Sequence, residues 1–352
     1  LPAASAMAAL SVIACLLLAN APLATAGKKC YAIAFSGGGD KGSFEAGVVQ
    51  GLVARLPPSE RQWDIMTGIS AGSIVASAGA LFELGDEVAM AEWMVASTVN
   101  FTKSSVFKQW FPGGVLQGAL FENGLYNTEP LYETLLKHLG SRKMGSRKFT
   151  IGATEDTTGE IVLFDESMVV GDPSRWAKYV RSSCAIPGLF QSVKVDGHVL
   201  SDGGCAIGTD VFSAVARCRK IADSDADIIL DVVTCDSNNL KPWDQRKDDL
   251  TVPLFLRGQE EQRYNKQMAD VLDACLAYPN VTFRYYVEPP ASGLPSNGIN
   301  FDKAEMQQMV EIGRQQAARA APGGACIAAD RHRASRKRWP QQAAAAAPAV
   351  IV

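Results

Sequence analysis

Two apolar runs, each ending in glycines and each followed by a helix-length segment, constrain this chain more than any other feature. Tyr31-Ala32-Ile33-Ala34-Phe35 runs into Gly37-Gly38-Gly39-Asp40-Lys41-Gly42, and residues 44–56 then show helical apolar spacing that stops at Pro57-Pro58. Ile65-Met66-Thr67 leads into Gly68-Ile69-Ser70-Ala71-Gly72. A helix is predicted over residues 71–84, where Gly72, Ser73, Ala76, Ser77, Gly79 and Ala80 permit close packing on a sheet. Short buried strands alternating with helices are the signature of βα units around a mainly parallel sheet. The pattern therefore predicts an α/β fold built around that sheet.

The rest of the chain keeps this rhythm. Residues 149–154 and 160–164 read as strands joined by the turn Asp156-Thr157-Thr158-Gly159, either as a hairpin or as neighbours. Residues 228–234 and 281–287 read as further strands, with helical spacing over 257–276 and 302–318. A length of 352 residues with 47% hydrophobic side chains suits one large α/β domain or two small ones, and the pattern is assigned here to one unit over residues 28–320. No internal repeat is present. A formal net charge of -3 argues against nucleic acid as a partner. Nothing in the sequence fixes an oligomeric state.

Both ends differ from this middle. Residues 1–26 hold an apolar block over 8–19, then Pro22 and Ala24-Thr25-Ala26, and read as a signal peptide with an A-x-A cleavage site, although no positive charge precedes the block. Cleaved, it implies a secreted or endomembrane-lumen protein; uncleaved, it implies a membrane anchor, though the apolar stretch is short for a span. Two glycosylation sequons, at Asn100 and Asn280, agree with that route. Of eight cysteines Cys15 lies in the leader, and of the other seven at least one must stay unpaired within the chain. The absence of any C-x-x-C spacing argues against zinc, and no cofactor is expected. Residues 322–352, with basic Arg331, Arg333, Arg336, Lys337 and Arg338 before an alanine run, read as a disordered tail.

The chemistry lies in the glycine turns. Gly68-Ile69-Ser70-Ala71-Gly72 fits G-x-S-x-G, in which a sharp strand-to-helix turn exposes a serine hydroxyl at a helix N-terminus. The run Gly37-Gly38-Gly39 lets successive N–H groups converge on one point, as an oxyanion hole or phosphate nest does. Gly37, Gly39 and Gly42 also satisfy G-x-G-x-x-G, with Glu60 or Asp64 as the acidic residue some distance on, which makes a dinucleotide-binding oxidoreductase the rival reading. Lys41 is a candidate for a phosphate head group. Ser70 needs a base, and only three histidines are present. His138 lies in a charged helical segment, His332 in the tail, and His198 four residues from Asp202. In Ser201-Asp202-Gly203-Gly204 the carboxylate can itself accept the serine proton if a dry pocket raises its pKa. Asp202 and His198 are thus the candidate bases.

The glycine loop with its lysine, Gly-Ile-Ser-Ala-Gly about 30 residues later, and Asp-Gly-Gly after a longer interval together resemble the patatin-like phospholipase family. Ser182-Ser183-Cys184-Ala185-Ile186-Pro187-Gly188-Leu189-Phe190, with Val193 and Gly197 beyond it, strengthens the resemblance. It implies a three-layer α/β/α sandwich, Ser70 as nucleophile, Asp202 as base, and Gly37, Gly38 and Gly39 as oxyanion loop, with no histidine required. It further implies hydrolysis of phospholipid or other acyl-lipid esters, with transient contact to a membrane surface. A protein of this fold that binds lipid without turnover is the alternative. Residues 106–116, apolar and aromatic with turn residues, are expected to line an acyl channel, touch a bilayer or pack in the core.

Overall fold

The computed structural model describes residues 27–236 and 251–328, with residues 330, 333 and 334 beyond them. The predicted leader, His332 and most of the basic tail lie outside these. In chain order the elements are β1 (Cys30–Phe35), α1 (Gly42–Arg55), β2 (Ile65–Ile69), α2 (Ala71–Gly79), α3 (Glu87–Thr98), α4 (Lys103–Val106), α5 (Gly114–Phe121) and α6 (Glu129–Leu139). There follow β3 (Lys148–Glu155), β4 (Ile161–Asp165), α7 (Pro173–Ser183), β5 (Val193–Val195), β6 (His198–Asp202) and α8 (Val211–Cys218). The series closes with β7 (Ile228–Val233), α9 (Thr251–Ala277), β8 (Thr282–Val287) and α10 (Lys303–Arg319).

Among the described residues eight strands form one sheet, in the order β5-β6-β3-β2-β1-β7-β8 with β4 also on β3. β3, β2, β1, β7 and β8 are parallel, whereas β4, β5 and β6 are antiparallel to their neighbours. The sheet is therefore mixed, and β3 and β4 form the hairpin that the Asp156–Gly159 turn foreshadows. Alternate residues of β1 divide the core: Ile33 and Phe35 join one cluster with α1, α2, α3 and α7, while Ala32 and Ala34 join a second with α8 and α9. Helices thus cover both faces, as in a three-layer α/β/α sandwich. Two disulfides fasten the second face, Cys30–Cys218 between β1 and α8 and Cys275–Cys326 between α9 and the chain beyond α10.

Two boundaries differ from the sequence reading, each for a non-local reason. The helix expected over residues 71–84 ends at Gly79 and passes into tight turns, in which the Leu81 and Phe82 N–H groups donate to the Ala78 and Gly79 carbonyls at 3.3 and 3.1 Å, and the buried guanidinium of Arg147 fastens this end by donating to the Gly79 and Phe82 carbonyls at 2.9 and 3.3 Å. Nor does the chain lose its structure at Pro322. Ala325 and Ala328 are buried and Cys326 is tied to Cys275, so the first residues of the expected tail belong to the fold.

The register around β3 builds the site. β2 pairs with residues 148–152 of β3 and β4 with residues 150–154, so these two lie on opposite edges. β6 pairs with residues 153–155, overlapping β4, and must therefore occupy the edge that β2 has left. β2 ends at Ile69 opposite Gly152, while β6, running the other way, ends at Asp202 opposite Ala153. The residues that leave these two strand ends, Ser70 and Asp202, are brought face to face.

Candidate active site

Ser70 stands between β2 and α2 with φ 53° and ψ -120°, a left-handed conformation in which a non-glycine residue is strained by roughly 1–3 kcal/mol. Surrounding bonds hold it there. Its N–H donates to Ser183 Oγ at 2.9 Å, and its carbonyl accepts from Ser73 Oγ at 2.6 Å. The elbow also needs its first glycine, since a Cβ at Gly68 would fall 2.0 Å from the Gly72 carbonyl oxygen. The sharp turn of the motif is thereby present, and the hydroxyl sits at the N-terminus of α2 where developing negative charge is favoured.

Asp202 is buried and fixed through its backbone and one oxygen. Its N–H donates to the Ala185 carbonyl at 2.8 Å, its carbonyl accepts from Thr154 Oγ1 at 2.9 Å, and its Oδ1 accepts from Gly204 N–H at 2.7 Å. Oδ2 has no hydrogen-bond partner among the described residues. Burial pushes the carboxyl from the ordinary aspartate value of 3.8 up to about 6, against smaller lowering effects of the Ser70 hydroxyl, the Gly204 amide and the Arg263 charge. The Ser70 hydroxyl is thus near enough to weigh on the carboxyl, while its geometry falls short of a formed hydrogen bond. Such looseness is common before substrate binds. Cys184 lies at the same point, 3.8 Å from Ser73 Oγ, and burial with the Asp202 charge pushes its thiol up, so it stays neutral.

The glycine loop closes the other side. A Cβ on Gly37 would lie 3.0 Å from Ser70 Cβ, so this backbone abuts the hydroxyl. Gly39 takes φ +64° and presses on the Gly298 carbonyl, where a Cβ would fall only 1.8 Å away. Within the loop the hydrogen bonds run from Asp40 N–H to Gly298 O and from Lys41 N–H to Gly38 O, and the Gly38 and Gly39 amides enter neither. Asp40, the residue between the glycines and the lysine, was not singled out in the sequence. Its Oδ2 accepts from Ser296 Oγ at 2.6 Å and from the amides of Asn300 and Phe301, which clamps a distant loop against the site.

An apolar cleft, open to solvent, leads to Ser70. Gly39, Ile74, Phe101, Ile186, Phe190 and Phe301 are among its walls. Lys41 is not. Its ammonium pairs with Asp236 at 2.8 Å, where Arg263 also binds, so it is committed beside the site. His198, the other candidate base, opens β6 at its far end and is exposed. His138 packs on Trp93 and Phe101. The acidic residues required by the dinucleotide reading are misplaced: Asp64 precedes β2 and accepts from Tyr31 N–H, and Glu60 pairs with Arg284, so both lie at the end of the sheet opposite the glycine loop.

The fold is thus a mixed α/β sandwich in which a serine elbow faces a buried aspartate beneath a glycine loop. The sequence model of the patatin-like phospholipase family matches residues 33–215, and the chain belongs to that family. Among solved structures it is similar to VipD from Legionella pneumophila, at 14% identity over 83% of this chain and 66% of that one, with a TM-score of 0.39. The chain spans about two thirds of that chain's length.

Proposed function

We propose that the protein is a lipid acyl hydrolase, of phospholipase A or lysophospholipase type, that cleaves carboxylic esters of membrane lipids through Ser70 and Asp202. The observation that carries this is the unpartnered Asp202 Oδ2 beside the strained Ser70 at the end of an apolar cleft. Asp202 takes the Ser70 proton as Oγ attacks the ester carbonyl; the amides of Gly37, Gly38 and Gly39 receive the oxyanion; the alcohol leaves with the proton. Water then gives its proton to Asp202 and attacks the acyl-enzyme, which releases the fatty acid and restores Ser70. A base with pKa about 6 is ionised at neutral pH and still basic enough to act.

The test is to treat the protein and its Ser70→Ala variant with a fluorophosphonate, then with a defined panel of phospholipids, lysophospholipids, galactolipids and acylglycerols, and to identify released acids. Labelling and acid release that both require Ser70 are expected. A protein that binds these lipids but takes no label and releases nothing is the silent lipid binder instead.

The segment over residues 106–116 splits between two roles. Val106 is buried in the cleft wall and Trp110 Nε1 donates to Gly124 O, whereas Phe111, Leu116, Leu120 and Phe121 are 93, 73, 69 and 81% exposed. A nearly all-apolar helix whose side chains face outward supports transient contact with a lipid surface. The Cys30–Cys218 and Cys275–Cys326 disulfides, with Asn100 and Asn280 both exposed, support an oxidising, secretory location.

A further inference from the structure

The peptide between Gly37 and Gly38 has no backbone bond to hold it. Neither flanking residue carries a Cβ, so its plane is free to turn over. The peptides on either side are tied: Ser36 O accepts from Gly72 N–H at 3.1 Å, and Gly38 O from Lys41 N–H at 3.3 Å. Among the described residues the Gly37 carbonyl accepts only from the Ser36 hydroxyl, at 3.3 Å, and the Gly38 amide donates to nothing.

The direction of this peptide decides what it offers at Ser70. Carbonyl and N–H of a trans peptide point opposite ways. β1 lies between β2, which Ser70 leaves, and β7, which Cys235 follows. Ser36 Oγ accepts from Cys235 N–H at 2.8 Å and so lies on the β7 side. The Gly37 carbonyl, drawn to that hydroxyl, faces β7, and the Gly38 N–H is left facing the β2 side, where this backbone abuts Ser70. Turned over, the same peptide would set a carbonyl oxygen against a developing oxyanion and repel it.

The Ser36 hydroxyl is placed to hold one of these two directions. It is fully buried. Its bond to Gly37 O is long for a hydroxyl donor, but its oxygen is pinned by the Cys235 amide, which leaves the proton free to turn toward the carbonyl and strengthens it as a donor. Cys235 also fills the space behind the peptide, since a Cβ on Gly38 would fall 2.5 and 2.6 Å from its Cβ and Sγ.

We propose that Ser36 is a positioning residue which, held by the Cys235 amide, aims the Gly38 N–H at the oxyanion formed when Ser70 attacks an ester. This rests on the hydrolase reading. Ser36→Ala should lower kcat on a lipid ester by about tenfold to a hundredfold, up to the loss expected for an oxyanion donor removed outright, with KM changed by less than about twofold. Rates are taken per Ser70 that a fluorophosphonate labels at completion, so that loss of folded protein does not enter them.

An alkylboronic acid reads the same amide without turnover. Ser70 Oγ bonds to boron, its proton passes to Asp202, and a boron-bound oxygen takes the place of the oxyanion. In Ser36→Ala its Ki should rise about tenfold, while the affinity of a non-cleavable ether lipid stays within about twofold. Ser36→Cys keeps a weaker donor and should fall between; it reads the same split where the alanine variant does not fold. An unchanged kcat, or equal weakening of boronic acid and ether lipid, overturns the proposal while the hydrolase reading stands. An unaltered protein that cleaves no ester and binds no boronic acid overturns the hydrolase reading, and this role with it.

Discussion

Replacing Asp202 by asparagine should remove turnover and at the same time stabilise the fold. The native carboxyl titrates near 6 rather than at 3.8, chiefly because it is buried. A raised native pKa means that the folded protein holds this proton more tightly than the unfolded chain does. Stability therefore falls as pH rises from about 4 to about 6, and the full penalty is present above that window. The gap, at about 1.4 kcal/mol for each tenfold change in proton affinity, amounts to about 3 kcal/mol. Asparagine carries no charge, keeps an oxygen for the Gly204 amide, and supplies an N–H₂ where Oδ2 now lacks a partner. Glu45, Asp210 and Asp270 are also pushed up by burial, but they are common to both proteins and cancel in the difference. Urea denaturation at pH 8 should show Asp202→Asn more stable by about 3 kcal/mol, with Tm higher by about 5 °C, and the difference should vanish near pH 4. In the unaltered protein kcat/KM should rise through about pH 6 as the base ionises. A variant no more stable at pH 8, or a difference independent of pH, would refute a buried ionised base at this position.

Three further changes probe the frame around it. Gly39→Ala places a methyl 1.8 Å from the Gly298 carbonyl at a left-handed φ, and by displacing the oxyanion loop should lower kcat by about a hundredfold or more; an ester-hydrolysis rate close to that of the unaltered protein would dismiss the loop from the chemistry. Ser183→Ala leaves the buried Ser70 N–H without its acceptor and should cost about 1–3 kcal/mol in urea denaturation, together with slower fluorophosphonate labelling. Replacing Phe111, Leu116, Leu120 and Phe121 together by serine should weaken partitioning onto anionic vesicles by at least about tenfold in a sedimentation assay, and equal partitioning would free that face of any role at a membrane.

What the sequence made legible was local. Both strand–turn–helix units stand out because an apolar run meets glycines whose backbone a side chain would obstruct, as at Gly39 and Gly68. Ser70 and Asp202 are readable as motif residues, but their meeting is not, since it depends on β6 entering antiparallel on the edge of β3 that β2 vacates. The end of α2 is hidden for a similar reason: the group that fastens its turn is Arg147, far along the chain. Asp40 looked like a spacer between glycines and a lysine, and its work is to hold residues 296–301. Lys41 looked free because its partner, Asp236, follows β7. The apolar pattern of residues 106–116 was plain, but which side chains turn inward depends on where the cleft lies.

The proposed pair also explains how a base can act without a third side chain to orient it. In a Ser-His-Asp arrangement the carboxylate fixes the imidazole, which has two nitrogens and a rotatable ring. A carboxylate at a strand end needs less. Here the strand pairing sets the Asp202 backbone, the Gly204 amide fixes one oxygen, and the other is left toward Ser70. The remaining requirement is that nucleophile and base keep their separation although they come from strands that never pair with each other. One short stretch meets it, because Ser183 holds the Ser70 amide and Ala185, two residues on, holds that of Asp202. The end of α7 thus acts as a ruler between the two groups, and the same stretch continues through Ile186 to Phe190 into the cleft wall.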